Sequence, residues 1–124
     1  MLLITNNEFF KDAIKRNDVT VEYIDIDYIG ILKKSRDLIH QNYRLVTHPL
    51  YGSVKPNETV FRSVILEKGD KFDTDSLMMI EESINTATKF MNISKPKRWP
   101  AEILDDFRVV DFDIISQTLD RILI

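Results

Sequence analysis

Short runs of apolar side chains alternate along this chain with longer segments in which apolar residues recur every three or four positions. Runs of the first kind predict strands, and the second spacing predicts amphipathic helices. The predicted strands cover residues 2–4, 19–26, 43–46 and 60–66. The helical spacing covers residues 9–14, 28–41, 76–91 and 103–122. The alternation of the two patterns predicts an α/β fold.

The order of these elements, βαβαββαα, predicts a small sandwich in which helices cover a mainly parallel, four-stranded sheet. The first strand, Leu2-Leu3-Ile4, is wholly apolar, as expected for a strand that is buried on both faces of a sheet. The chain has 124 residues, and no repeat or linker divides it, so residues 1–124 are predicted to form a single domain. The pattern leaves the direction of the fourth strand open.

The composition excludes several classes of function. Seventeen Lys and Arg against twenty Asp and Glu give a net charge of −3, which lacks the basic surplus of a nucleic-acid-binding domain. With no cysteine and two histidines, disulfides, thiolate chemistry and sites needing several Cys or His ligands are excluded, so neither a cofactor nor a metal is predicted. No apolar run reaches the roughly 20 residues that a membrane helix needs. The N-terminus lacks a secretory signal, which predicts a cytoplasmic protein.

Residues 47–59 form an unusually long, turn-rich segment between the third and fourth predicted strands. Pro49 and Pro56 fix two backbone φ angles, so this loop is expected to hold its polar side chains rigidly, without an ordering cost on binding. If the third strand runs parallel to the first, the loop and Thr5-Asn6-Asn7 lie at the same carboxyl edge of the sheet, where open α/β sheets bind ligands. The predicted ligand-binding residues are Thr5, Asn6, Asn7, Thr47, His48, Ser53, Lys55, Asn57 and Thr59.

These side chains are mostly neutral hydrogen-bond donors with one cation, Lys55, a composition that suits a carboxylate or a phosphate. His48 is a candidate general acid or base because its side chain titrates near neutral pH, and Glu58 is a second catalytic candidate that could orient His48 or replace it. A structural explanation stays open for the same residues. Turn residues also serve loops that bind nothing, Thr5-Asn6-Asn7 can act only as a helix cap, and His48 can act only as a hydrogen-bonding loop residue.

Charged and apolar groups near the C-terminus are predicted to be structural. Asp105, Asp106, Asp111 and Asp113 are predicted on the solvent face of the last helix, opposite its apolar stripe. The basic segment that ends in Trp99 is predicted to be an exposed linker with the indole folded against the core. The chain ends in the apolar run 122–124, which raises the hypothesis of a homodimer formed through the C-terminal helix.

Three segments carry a resemblance to a known family: RDLIH at residues 36–40, LVTHPL at 45–50 and GSVKPNET at 52–59. With Thr5-Asn6-Asn7, Trp99-Pro100 and Asp111-Phe112-Asp113, the chain resembles over nearly its whole length the GrdX family, small proteins of anaerobic bacteria that are named for their association with glycine, sarcosine and betaine reductases. A proline often stands in that family where this chain has Val60, a departure at the entry to the fourth strand.

The resemblance implies a setting in amino-acid reduction and supplies no catalytic residues. The leading hypothesis is therefore an accessory protein of a glycine-type reductase system that binds a small anionic ligand, or a segment of a reductase partner, through loop 47–59. The alternatives are a small enzyme that uses His48 as general acid or base, and a purely structural or interaction scaffold. A concave site with His48, Lys55 and Asn6 within reach of one small molecule would favour the first two hypotheses, and a loop folded flat would favour the third.

Overall fold

The computed structural model describes residues 1–11, 18–52 and 55–122. Four strands in these residues form one sheet in the order β2-β1-β4-β3, and three α-helices flank it. The strands are β1 (Leu2–Thr5), β2 (Thr20–Tyr23), β3 (Tyr43–Leu45) and β4 (Ser63–Lys68). The helices are α1 (Tyr28–Ile39), α2 (Thr74–Ile93) and α3 (Ala101–Ile122).

The sheet is mixed, so the prediction of a mainly parallel sheet was wrong. β1 pairs with β2 in parallel, but β4 is antiparallel to both β1 and β3. No crossover helix lies between β3 and β4 in the described residues, and strands joined without such a crossover can pair only in the antiparallel sense. Because β4 is antiparallel to both of its neighbours, β3 still runs in the same direction as β1. The strands β1, β2 and β3 therefore end toward one edge of the sheet, at which β4 begins.

The prediction of a helix over residues 9–14 falls partly outside the described residues. The structure has a single 3₁₀ turn at Glu8–Phe10, and residues 12–17 are not described. Asn7 caps this turn by accepting a hydrogen bond from the Phe9 amide through Oδ1, at 3.1 Å. At the start of α1, Asp27 acts in the same way and accepts from the Gly30 amide at 2.7 Å.

Alternate side chains of the two central strands divide the core into two layers. Ile4, Val64 and Leu66 face α1 and α2, where they pack with apolar residues such as Leu32 and Ile80. The intervening side chains face α3 and the 3₁₀ turn in the second layer, which contains Leu3, Ile65, Phe10, Ile115 and Leu119. All of these side chains are almost fully buried. Burial of each contributes about 1.5–3 kcal/mol, so the two layers fix the sheet between the helices.

Within the described part of the chain, every helix is too short or too polar to cross a membrane.

Candidate functional site

A chain of buried polar side chains joins the sheet edge to α3. Thr5 is the last residue of β1 and pairs in register with Ser63, the first residue of β4. Because strand side chains alternate, both hydroxyls share a face with Leu3 and Ile65 and point toward α3. The two hydroxyl oxygens lie 2.7 Å apart, and Ser63 Oγ donates at 2.7 Å to Oδ2 of Asp111 on α3.

Asp111 is the centre of this chain and is 5% exposed. Its Oδ2 accepts from Ser63 and from Nδ2 of Asn7, at 3.1 Å, and its Oδ1 accepts from the Tyr51 hydroxyl. Because the Ser63 hydroxyl donates its proton to Asp111, the hydrogen bond between Thr5 and Ser63 must be donated by Thr5. Thr5 Oγ1 in turn accepts from the Asn7 amide at 2.9 Å. Three donors therefore compensate the carboxylate for the loss of water.

Tyr51 stays protonated beside this carboxylate. Burial of the hydroxyl raises the Tyr51 pKa well above its ordinary value of 10.0, and the negative charge of Asp111 raises it further. The positive charge of Arg62 opposes the shift. The phenol is therefore a neutral hydrogen-bond donor to Asp111 at physiological pH.

Arg62 is a buried cation, 3% exposed, at the entrance to β4. Its guanidinium carbon lies 4.7 Å from the ring centroid of Tyr28 and 4.2 Å from that of Tyr51, within the range of cation–π contacts. One terminal nitrogen donates to the Tyr51 carbonyl at 3.0 Å, and the Arg62 amide donates to Oδ1 of Asn6 at 2.8 Å. Its Nε is buried and has no hydrogen-bond partner among the described residues.

The Tyr28 hydroxyl is a second buried group in this region. It has no hydrogen bond of good geometry in the described residues, although the Arg62 guanidinium lies close to it. Burial raises the Tyr28 pKa above 10.0, and the charge of Arg62 opposes that shift. Buried polar atoms without partners are rare in folded proteins and are expected where a water, an ion or a ligand completes the site.

A small cavity, which we call the Arg62 cavity, lies between the loop and α3. Its volume of about 20 Å³ gives room for roughly one or two water-sized groups. Arg62 and Asp111 both line it, so its wall contains a cation and an anion. The complete lining is Tyr51, Gly52, Thr59, Phe61, Arg62, Phe107, Val110, Asp111 and Ile114.

The predicted site residues at the end of β1 are all buried, and their hydrogen bonds support residues of the cavity wall. Thr5 and Asn7 belong to the network around Asp111. Asn6 ties three segments together, since Nδ2 donates to the carbonyls of Ile26 at 2.9 Å and Val60 at 2.8 Å and Oδ1 accepts from Arg62.

The predicted site residues in loop 47–59 are spread over different surroundings. Thr59 is buried and lines the Arg62 cavity, with Oγ1 accepting from the Phe61 amide at 3.2 Å. Thr47 Oγ1 accepts from the Ile65 amide at 3.2 Å. Asn57 Nδ2 donates to carbonyls of α2 and its C-cap, those of Phe90 and Ser94. Ser53 lies outside the described residues.

The two catalytic candidates and Lys55 do not line the Arg62 cavity. His48 is exposed, and its Nδ1 accepts from the Leu50 amide at 3.0 Å, as in a loop-bracing histidine. Glu58 and Lys55 are also exposed, and the Glu58 carbonyl accepts from the Trp99 indole at 2.7 Å. The structure therefore does not gather His48, Lys55 and Asn6 around the Arg62 cavity. The condition that would favour a binding or catalytic site built on these three residues is not met, so a site at this cavity depends on other residues.

The prediction that Asp111 lies on the solvent face of the last helix was wrong, whereas Asp105, Asp106 and Asp113 are exposed as predicted. The sequence holds a signal for the exception. Asp111 lies four residues after Phe107 and four before Ile115, on the stripe that continues to Leu119, so helical geometry places it on the inner face.

Arg62 was not singled out from the sequence either. It interrupts the apolar run 60–66 that predicts a strand. A charged residue within such a run indicates a buried charge with a specific partner.

No curated protein and no solved structure matches this chain. A model of the family described as GrdX-like protein matches residues 2–120, a span that contains the whole Asp111 network and the Arg62 cavity. The match covers nearly the full length, and it agrees with the resemblance carried by the segments around residues 36–59. The chain therefore belongs to the GrdX-like protein family.

Proposed function

We propose that this protein is an accessory component of a glycine-type amino-acid reductase system and that the Arg62 cavity receives the carboxylate group of a small ligand. The association with a reductase rests on the family resemblance alone. The ligand class rests on one observation: a guanidinium that is buried, in contact with two aromatic rings and incompletely hydrogen-bonded lines a small cavity.

The charges around the cavity support an anion as the ligand. Arg62 forms no ion pair with a carboxylate of residues 1–11, 18–52 or 55–122. The Asp111 carboxylate is directed to Tyr51, Ser63 and Asn7 instead. A buried cation that forms no ion pair costs several kcal/mol, and a bound carboxylate would offset part of that cost. The planar guanidinium also matches the geometry of a carboxylate.

The local architecture supports a preformed site. The Tyr28 and Tyr51 rings both contact the guanidinium, and the hydrogen bonds of Asn6 hold the backbone of Arg62. The loop 47–59 supplies Tyr51, Gly52 and Thr59 to the wall, so the proposal keeps this loop as part of the binding site. A site that needs little ordering retains more of its interaction energy as affinity.

The enzymatic alternative receives no support from the position of His48, which is exposed and lies outside the cavity lining. The homodimer through the C-terminal helix stays a separate hypothesis. Ile122 at the end of α3 is 37% exposed, and a sedimentation measurement that finds only monomer at high micromolar concentration would remove that hypothesis.

The proposal is tested by thermal unfolding in the presence of formate, acetate or phosphate, with chloride at equal ionic strength as the reference. A ligand that binds only the folded state raises the Tm by mass action, so formate or acetate should raise it in a concentration-dependent way. Arg62→Lys should weaken the effect, because lysine lacks the planar fork.

Two further variants separate loss of binding from loss of folding. Val110→Phe adds volume to a residue of the cavity wall that is 43% exposed, so it should preserve the fold and suppress the shift. Arg44→Lys changes an arginine that is paired with Glu67 outside the cavity and should leave the shift intact. Equal shifts in the wild type, Arg62→Lys and Val110→Phe, or no shift with any of these anions, would refute the proposal.

A further inference from the structure

A second concave surface lies where the loop, the end of α2 and the start of α3 meet. We call it the Trp99 groove, and it has a volume of about 340 Å³. Only Phe107 is shared with the Arg62 cavity, so the two sites are separate. The groove is lined by Asn57, Glu58, Ser94, Lys95, Lys97, Trp99 and Phe107. We propose that this groove binds an acidic peptide segment of a partner protein.

The floor of the groove is fixed by the fold. The Trp99 indole nitrogen donates to the Glu58 carbonyl at 2.7 Å, and its ring meets Phe107 edge-on, with 5.7 Å between centroids. Asn57 holds the loop against α2 through its bonds to the carbonyls of Phe90 and Ser94, at 3.3 and 3.2 Å. Trp99 therefore packs against the loop and α3, and it is not among the residues of either core layer, contrary to the prediction that it folds against the core. These contacts leave a surface that needs little ordering on binding.

The rim of the groove carries the positive charge. Lys95 and Lys97 line it, Arg98 lies between Lys97 and Trp99 in the chain, and all three are exposed. None of the three forms an ion pair with a carboxylate in the part of the chain that the structure describes. Glu58 is the single carboxylate among the lining residues. A local excess of cations on a chain with a net charge of −3 favours an acidic partner.

Asn57, which lines the groove, has one acceptor without a donor among the described residues. Asn57 Nδ2 already donates to two carbonyls, so its Oδ1 is the free end of the amide, and this atom is buried without a partner in the described residues. A carboxylate cannot satisfy an acceptor, but a peptide N–H can. A ligand that provides both N–H donors and negative charges is therefore favoured over a simple anion.

A peptide also suits the surroundings better than a nucleotide does. The Nζ atom of Lys97 already lies over the Trp99 ring, 5.5 Å from its centroid, so that face of the indole is not open for a base to stack. Next to the groove, Ile93 at the end of α2 is 80% exposed and offers an apolar contact to a further side chain of a peptide. This inference does not depend on a ligand in the Arg62 cavity.

The experiment selects peptides from a phage-displayed library of random 12-residue sequences on the immobilised full chain. The enriched sequences should carry a net negative charge. Lys95→Glu/Lys97→Glu should reduce enrichment at least tenfold, while Lys33→Glu/Lys71→Glu, which makes the same charge change outside the groove, should not. Circular dichroism and Tm establish that both double variants are folded.

The most enriched peptide is then synthesised and titrated while Trp99 fluorescence is recorded, since this is the only tryptophan of the chain. A saturable change that the Lys95→Glu/Lys97→Glu variant loses is expected. Enrichment of neutral or basic sequences, enrichment that survives in that variant, or failure to enrich any sequence would overturn the inference. A saturable response to ATP or AMP without any enriched peptide would do so as well.

Discussion

The Ser63 hydroxyl at the start of β4 donates a hydrogen bond of 2.7 Å to the buried carboxylate of Asp111 on α3. This contact joins residues that are 48 positions apart, and it couples the sheet edge to the last helix. The same carboxylate accepts from Asn7 and Tyr51, so three segments of the chain converge on one anion. The position of α3, which forms one wall of the Arg62 cavity, therefore depends on this cluster.

Asp111→Ala should destabilise the protein strongly. It leaves the buried donors of Ser63, Asn7 and Tyr51 without their acceptor, and each buried donor left unsatisfied costs about 1–3 kcal/mol. Urea unfolding measures the difference. Asp113→Ala removes an exposed carboxylate from the same helix and should change the free energy of unfolding by less than about 0.5 kcal/mol. Equal effects of the two variants would contradict the central role of Asp111.

The two buried tyrosines predict a loss of stability at alkaline pH. Burial raises the pKa of Tyr51 and of Tyr28, so the folded state keeps both protons after the phenols of the unfolded chain begin to ionise, near 10.0. The unfolded state then binds fewer protons than the folded state, and the free energy of unfolding falls as the pH rises above that value. Below it, this contribution is fully present.

Urea unfolding between pH 9 and pH 11 tests this expectation by comparing the wild type with Tyr28→Phe/Tyr51→Phe. The double variant should be less stable at pH 7, because Asp111 loses the Tyr51 donor. Its stability should then fall less steeply with rising pH, because the two phenols no longer titrate. Parallel curves for the two proteins would show that Tyr28 and Tyr51 do not cause the alkaline loss.

The helices and strands could be predicted from local patterns, because each pattern depends only on the residues of its own segment. The strands at residues 2–4 and 43–46 and the helix at 28–41 lie close to their observed bounds. The pairing of β4 with β1 could not be predicted in this way, because β1 lies about sixty residues away in the chain. The ends of β1 and β3 lie at one edge, as expected if the two strands run in the same direction, and that direction results from two antiparallel pairings in succession.

The candidate site was predicted less well, because burial changes the role of a polar residue. The sequence predicts Asn6 and Asn7 as donors to a ligand. In the structure their side-chain amides donate to backbone carbonyls and to Asp111. Asp111 was predicted on the solvent face of its helix because it is charged, and Arg62 was not identified within the predicted strand at residues 60–66. Arg62 lies within an apolar run, and Asp111 lies at helical spacing from apolar residues. A charged residue at such a position is expected to be buried.

His48→Ala should have little effect on stability or on anion binding. The side chain is exposed and braces only the Leu50 amide, so we expect a change in the free energy of unfolding of less than about 1 kcal/mol, the net value of one ordinary hydrogen bond. The Tm shift with acetate should be unchanged, since His48 does not line the Arg62 cavity. Loss of that shift in a folded His48→Ala protein would restore His48 as a ligand-binding residue.

Gly52 should not tolerate alanine, because its backbone φ of 86° lies in the left-handed region. A residue with a Cβ costs about 1–2 kcal/mol in that region, and asparagine adopts it more readily than alanine does. Asn42 already does so in this chain, with a φ of 70°. A Cβ at position 52 would also lie 3.4 Å from Cδ1 of Ile114 in the cavity wall. We therefore expect urea unfolding to give a lower free energy of unfolding for Gly52→Ala than for Gly52→Asn, and a lower value for both variants than for the wild type. If Gly52→Ala is as stable as the wild type, the loop does not need a left-handed residue at this position, and Ile114 does not crowd a Cβ atom at residue 52.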